Sequence, residues 1–332
     1  MSKIKIQENT KIYVACPGNV ATGGPELLHQ LVYELNKLGL KAFMFYYEKT
    51  ESNPVHDAYV KYNNPYIEEI EDIVDNILIV PEIVTGIIYN YKNIQKIIWW
   101  LSVDNYYKRF ESNVLWKKII KQILYKIGYF KVYRFEKDRT LIHFVQSEYA
   151  KQHLKEKGLK NIYFLGDYLN KYFIENQTKN LHIQKEDIVI YNPKKGIEFT
   201  NKIIKQSNKK IKFIPIENMT REEVANLLST AKVYIDFGNH PGKDRIPREA
   251  AISGCCIITG KQGSAKYYED VAIDDEFKFV DKEENIPKII DKIMNCIDNY
   301  EDNSKKFDFY REKIKNEQNN FIEDIKKIFI KN

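Results

Sequence analysis

Two α/β domains built on doubly wound parallel sheets are the architecture this sequence predicts, and three observations predict it. Short apolar runs of strand length alternate with helix-length amphipathic segments along the chain, the order expected of βαβ units. At 332 residues the chain is too long for one ordinary domain and comfortable for two, each able to bury a core. A polar stretch without clear periodicity, GDYLNKYFIENQTKNLHIQKE from Gly166, interrupts the alternation and reads as an interdomain linker. The expected division is residues 1–172 and 173–312, with a tail of 313–332 returning to the first domain.

Each element has its own signal. Lys11 to Cys16 (KIYVAC) opens the first domain as a strand. The helix after it carries Leu27, Leu28, Leu31, Leu35 and Leu38 on one face; Pro25 suits its first position and Gly39 its end. Further strands are expected at Lys41 to Tyr46, Asn76 to Val80, Lys96 to Leu101, Leu141 to Gln146 and Asn161 to Leu165. In the second domain a strand starts at Asp187 and a helix follows from Lys195. A strand at Ile211 to Ile214 comes next, and Thr220 with Glu223 three residues on forms a capping-box start for a helix up to Thr230. Two buried strands, Val233 to Ile235 and Cys255 to Ile258, bracket a short helix begun at Pro247 and stopped at Gly254. Lys/Glu-rich helices over 284–298 and 302–329 finish the chain.

Composition narrows the class. Hydrophobic residues at 43% and charged ones at 30% describe a globular chain, and no run approaches the roughly 18 apolar residues of a membrane span. The start, MSKIKIQENTK, lacks the apolar core of a secretory signal, so a cytoplasmic location is expected. The four cysteines have no metal-ligand spacing, and packed thiols are the expectation for them. No metal site is expected. The net charge is +6, but ten Lys and Arg against three acids between Lys108 and Arg139 give that stretch a local +7. Cations there interleave with Ile, Leu, Trp, Tyr and Phe, as in a helix lying on anionic lipid at the inner face of a membrane. The competing reading is an ordinary amphipathic helix packed on its sheet with a basic outer face. Nucleic acid is not an expected partner, since no recognition motif accompanies the charge.

Two loops carry the chemistry. DFGNHPGKDRIPREAAISG, from Asp236, places Lys243, Asp244, Arg245 and Arg248 beside the free N–H groups of a helix start, where an anion could sit. DIVIYNPKKG, from Asp187, repeats the logic with Asn192, Pro193, Lys194 and Lys195 after a buried strand. In parallel sheets ligands collect outside the carboxyl ends of the strands, where both loops would lie. Ser264, in the small-residue run Thr259 to Ala265, suits the same lining.

These residues resemble the nucleotide-sugar-binding half of GT-B fold glycosyltransferases, in particular the retaining group that builds bacterial surface polysaccharides. Glu249 and Ala250 match the second glutamate of that group's Glu-x7-Glu motif and its neighbour, Pro247 its usual proline and Gly254 its glycine. The first glutamate is missing, and Pro241 stands in its place. The resemblance implies two Rossmann-like domains facing across a cleft, with a terminal helix crossing back to the first. It implies that Glu249 binds the nucleotide ribose and that a basic pair, Lys194 or Lys195 with Lys243 or Arg245, holds the diphosphate. The glycine-rich turn Gly18 to Gly24, with Gly23 and Gly24 at the helix start, resembles the loop after the first strand in that group.

The chain contains no Asp-x-Asp, so transfer without a metal is expected, with Lys195, Arg245 and helix N-termini stabilising a UDP or GDP leaving group. The donor is then a substrate and no cofactor is needed. The acceptor is expected to be a surface glycan or a lipid-linked sugar. On the acceptor side Glu82, after Pro81, is the preferred orienting group, ahead of His29, Asp104 and His143; Trp99, Trp100, Tyr106 and Tyr107 could stack on sugars, but core packing is the expectation for the tryptophans. An inactive binding subunit, or a nucleotide-sugar epimerase or hydrolase, would use the same donor features.

Overall fold

The computed structural model describes residues 4–48, 53–108, 110–111, 114–127, 129–179, 183–208 and 210–330. Arg109 and Gly128 of the basic stretch, Asn180 to His182 of the expected linker, and the last two residues of the tail lie outside them. The chain divides into two compact units, residues 1–167 with 319–332, and residues 168–318.

The first unit contains β1 (Lys11–Cys16), α1 (Gly23–Lys37), β2 (Lys41–Tyr46), β3 (Tyr66–Ile67), β4 (Ile77–Pro81), β5 (Gln95–Trp100), α2 (Val103–Lys108), α3 (Leu115–Ile127), β6 (Ile142–Val145), α4 (Glu148–Glu156) and β7 (Ile162–Phe164). Its seven strands pair in the order β3-β2-β1-β4-β5-β6-β7, all parallel. The central strands are buried on both faces, so they read as continuous apolar runs such as Ile77, Leu78, Ile79 and Val80. Gly39 ends α1 as expected: in a left-handed conformation it donates to Asn36, while Leu40 donates to Leu35.

The second unit contains α5 (Lys171–Lys179), β8 (Glu186–Tyr191), α6 (Ile197–Gln206), β9 (Lys212–Pro215), α7 (Arg221–Thr230), β10 (Ala231–Asp236), α8 (Arg245–Ile252), β11 (Cys256–Gly260), β12 (Lys278–Phe279), α9 (Ile286–Asp298), α10 (Tyr300–Lys305), α11 (Asp308–Lys315) and the start of α12 (Glu317–Phe329). The sheet order is β12-β11-β10-β8-β9, again all parallel. The order reverses between β8 and β10, and in such sheets the loops leaving the two strands at the reversal form the binding crevice. Those loops are the two singled out from the sequence.

Several local expectations change. The polar stretch after Gly166 is not all linker, because α5 forms there and Leu169 and Phe173 enter the second core. The helix expected over 302–329 is three helices, α10 to α12. Pro25 and Pro247 stand at the third helical position rather than the first; α1 and α8 each begin two residues earlier. The N–H that proline lacks is equally dispensable there, within the first turn. The capping box on α7 is present with both bonds, Thr220 Oγ1 accepting from the Glu223 N–H and Glu223 Oε2 accepting from the Thr220 N–H.

Candidate active site

The carboxyl edge of the second sheet is assembled backbone against backbone. Gly196, at the start of α6, and Gly238, after β10, both have positive φ. A Cβ on Gly196 would lie 2.2 Å from the Phe237 carbonyl oxygen, and one on Gly238 would lie 2.6 Å from the Gly196 nitrogen. Only glycines allow this approach, and it brings the Asn192 to Lys195 turn onto the turn after Asp236. Asp281, just past β12, ties in a third loop by accepting from the Gly238 N–H at 2.7 Å and from Gln262 at 3.0 Å. Ser264 is buried and donates to the Gly242 carbonyl at 2.5 Å, so it braces the loop from beneath.

At the centre stands Lys195. Its ammonium lies 3.1 Å from Asp236 Oδ2 and 3.1 Å from His240 Nδ1, and it also pairs with Asp244 Oδ2. Burial pulls the lysine down, but the two carboxylates outweigh it and hold its pKa above the ordinary value. Burial raises Asp236, which also accepts from the Tyr234 hydroxyl at 2.9 Å. Burial acts on Asp244 too, yet the His240 hydrogen bond and Lys195 keep that carboxyl below its usual range. Asp236, His240 and Asp244 offer ligand-type atoms all within 4.8 Å of one another. The Lys195 ammonium lies on the same atoms and supplies there the positive charge that a divalent ion would bring.

One turn on, α8 separates its two arginines. Arg248 is wholly buried; it donates to Glu317 Oε2 at 2.7 Å and to the carbonyls of Asp244 and Lys243 at 3.1 Å each. Lys243 meets the other oxygen of Glu317 at 2.7 Å. The expectation that Arg248 lines a ligand site is therefore corrected, because its guanidinium is spent inside the fold. Arg245 remains partly exposed in the first turn of α8, with Nε 3.9 Å from Glu249 Oε1. Arg245, Glu249 and the first N–H groups of α8 thus share one end of the helix, while Lys194 lies exposed on the adjoining turn with its N–H on Asn192 Oδ1 at 3.0 Å. The helix ends as expected: Gly254, with positive φ, donates to Ala251, and Cys255 donates to Ala250.

Among known proteins, no family model matches the chain. It is 30% identical over 164 residues to an α-1,6-glucosyltransferase of Actinobacillus pleuropneumoniae serotype 7 (strain AP76), a match covering 47% of this chain and 48% of that protein. The chain thus spans about half the length of this curated relative. Among solved structures, Anabaena HepE in complex with UDP and glucose superposes with a TM-score of 0.61 at 10% identity, covering 96% of this chain and 99% of that one. Sucrose-phosphate synthase from Thermosynechococcus elongatus superposes with a TM-score of 0.59 at 12% identity, covering 97% and 95%. The fold is that of the GT-B glycosyltransferases. The two parallel sheets expected from the sequence are those of a GT-B chain.

In the first unit the candidates are more deeply engaged. Glu82 is buried at the end of β4, where Oε2 accepts from the Leu101 N–H at 3.0 Å and so joins the ends of β4 and β5. Gly23 and Gly24 open α1, but the nearest atom to a Cβ on Gly24 would be Leu101 Cδ1 at 3.8 Å, an ordinary contact, so the fold makes no steric demand for glycine there. His143 is fully buried between the Trp100 indole N–H, 3.1 Å from Nδ1, and the Tyr133 hydroxyl, 3.3 Å from Nε2. Burial pushes its pKa down to about 3. His29, stacked on Tyr59 at 4.5 Å, is pushed by burial down to about 4. Asp104 accepts from the Tyr149 hydroxyl at 2.8 Å. Trp99 and Trp100 are core residues.

Sequence reasoning missed Asp236, His240, Asp281 and Glu317 as site-forming residues. A spacing signal existed for two of them, since Asp236, His240 and Asp244 recur every four residues. Glu317 left none, because it lies 69 residues from Arg248.

Proposed function

We propose that the protein is a glycosyltransferase that moves a sugar from a nucleotide-diphosphate donor to a hydroxyl of a surface glycan or lipid-linked acceptor, without a metal ion and with retention at the anomeric carbon. The observation that carries this reading is the end of α8, where Arg245, Glu249 and the positive end of the helix meet at the reversal of a parallel sheet. A glucosyltransferase relative and the UDP and glucose named with the HepE structure favour a UDP-linked hexose as donor.

In the reaction the acceptor hydroxyl forms its bond to the anomeric carbon as the sugar–phosphate bond breaks, its proton passes to the departing phosphate oxygen and on to solvent, and the diphosphate departs with the extra negative charge. Arg245 and the α8 N–H groups, with Lys194 at the adjoining turn, meet that charge, and Glu249 takes the ribose hydroxyls. Lys195 acts differently from the expectation. Held by Asp236 and Asp244, it fixes the two loops and fills the position a cation would take, which supports metal independence. Pro241 has no polar side-chain atom to hold sugar hydroxyls, and the neighbouring His240 is fully buried against Asp244, so the donor sugar is read by other groups.

The test is nucleotide release from UDP- and GDP-linked sugars, with and without a membrane extract as acceptor source, in the presence of a chelator. Acceptor-dependent release of UDP that survives the chelator is the expected result. Release without acceptor supports the hydrolase reading, an isomerised nucleotide sugar without net release supports the epimerase reading, binding without turnover supports an inactive subunit, and abolition by the chelator contradicts metal independence.

A further inference from the structure

Helix α3 carries its apolar residues on the outside. Leu115, Trp116, Ile119, Ile120 and Ile123 recur at helical spacing on one face, and their exposures run from 45% for Ile120 to 73% for Leu115. The opposite side is anchored by Tyr125, whose ring packs on Phe110 at 4.5 Å and whose hydroxyl lies 3.2 Å from that of Tyr106; Arg134 stacks on the same ring at 5.1 Å and donates to the Tyr125 carbonyl. The helix is therefore fixed with its greasy face turned away from the unit that holds it. An amphipathic helix packed on its sheet would do the reverse, so that reading of the basic stretch is excluded. Single exposed apolar residues are ordinary, but five on one helical face are not.

The flank of this face is cationic. Lys117 and Lys118 are exposed and, among the described residues, meet no carboxylate; Lys117 lies over the Trp116 ring at 5.4 Å, and Lys121 donates to the Glu111 carbonyl. Exposed Tyr129 extends the apolar surface past the helix end. Bulky apolar side chains with an indole, flanked by unpaired lysines whose stems can lie along them, match the interface of a bilayer bearing anionic lipid. A protein partner would need acidic complementarity as well as an apolar groove, whereas a lipid surface supplies both terms without shape. We propose that α3 is a membrane-docking helix that inserts Leu115, Trp116, Ile119, Ile120 and Ile123 into the headgroup boundary of anionic membranes. The proposal stands independently of the donor chemistry above.

The chain holds its own reporter, because Trp99 and Trp100 are fully buried and Trp116 is exposed. Adding phosphatidylcholine vesicles with about a third phosphatidylglycerol to the full chain should shift tryptophan emission to the blue and carry the protein up in a flotation gradient. Neutral vesicles should do neither at the same lipid concentration, and high salt should reverse much of the binding. Trp116→Phe should abolish the shift while flotation persists. Ile119→Asp with Ile123→Asp should abolish both, and Lys117→Gln with Lys118→Gln should weaken flotation on the order of tenfold or more, each with an unchanged melting temperature because all four side chains face solvent. Equal binding to neutral and anionic vesicles, no binding to either, or self-association in sedimentation that the aspartate pair removes without vesicle binding would each overturn the proposal.

Discussion

The carboxyl edge of the second sheet and helix α3 of the first unit are both rich in cations, and they use them in opposite ways. At the sheet edge Lys195, Lys243 and Arg248 are each matched to carboxylates of Asp236, Asp244 or Glu317, so their charge is consumed in setting the positions of two loops and the start of α12. On α3, Lys117 and Lys118 face solvent beside exposed apolar side chains. Internal matching makes a cation a geometric device; absence of a match leaves it available to something outside the chain. Arg245, partly exposed beside Glu249, sits between these extremes, and it is the group to which the proposed function gives the incoming phosphate.

The largest effect that could break this comparison is at the matched cations. Lys195→Ala leaves two carboxylates facing a buried gap and should cost about 3 to 5 kcal/mol; Arg248→Met leaves Glu317 to Lys243 alone and should cost less, about 2 to 3 kcal/mol, both read as a lower denaturant midpoint of the second unit. A loss near zero for both would mean that the pairs are not what holds the loops. Gly196→Ala comes next, with a Cβ driven against the Phe237 carbonyl in a left-handed backbone, and should cost more than about 2 kcal/mol while also weakening donor binding.

Acid separates the two units further. His143 and His29 are held neutral in the first unit, with pKa values pushed by burial down to about 3 and about 4. Their contribution to stability is complete above the unfolded histidine pKa near 6.5 and is lost as pH falls from there toward the folded values. In the second unit Asp244, depressed, loses its contribution only below the usual carboxylate range, while Asp236, raised, contributes with the opposite sign and offsets it. Acidification from pH 6.5 to 4.5 should therefore destabilise the first unit before the second, and His143→Gln should flatten that limb. Amide exchange resolved by unit checks the order; simultaneous loss would refute it. The smallest effect is at Arg245→Ala, which should change stability by less than about 0.5 kcal/mol yet lower kcat roughly a hundredfold or more.

Much of this was legible in the residues. Continuous apolar strands, the glycines at 39 and 254, and the Thr220 and Glu223 capping box are local signals, and each produced the element it implies. The edge strands β3 and β12, two residues each, carry no periodicity to detect. The breaks between α10, α11 and α12 lack a proline or glycine to announce them. In the site, the sequence located both loops but could not tell the cations matched inside the fold from those left exposed. Arg245 and Arg248 look equivalent until Glu317 is brought against one of them, and Lys195 looks free until Asp236 and Asp244 close on it. Likewise, the pattern of α3 declares an apolar face, but which way that face turns is decided by Tyr125 finding Phe110 and Arg134. Long-range partners settle these questions, and local spacing is silent on them.

The most direct measurement is calorimetric titration of UDP-glucose into the wild-type chain and into Arg245→Ala, both in the presence of a chelator. Binding by the wild type that is lost in the variant, with both chains melting at the same temperature, is the result expected if the end of α8 receives the donor diphosphate. Equal binding by the two chains, or binding by neither until a divalent ion is restored, would contradict it.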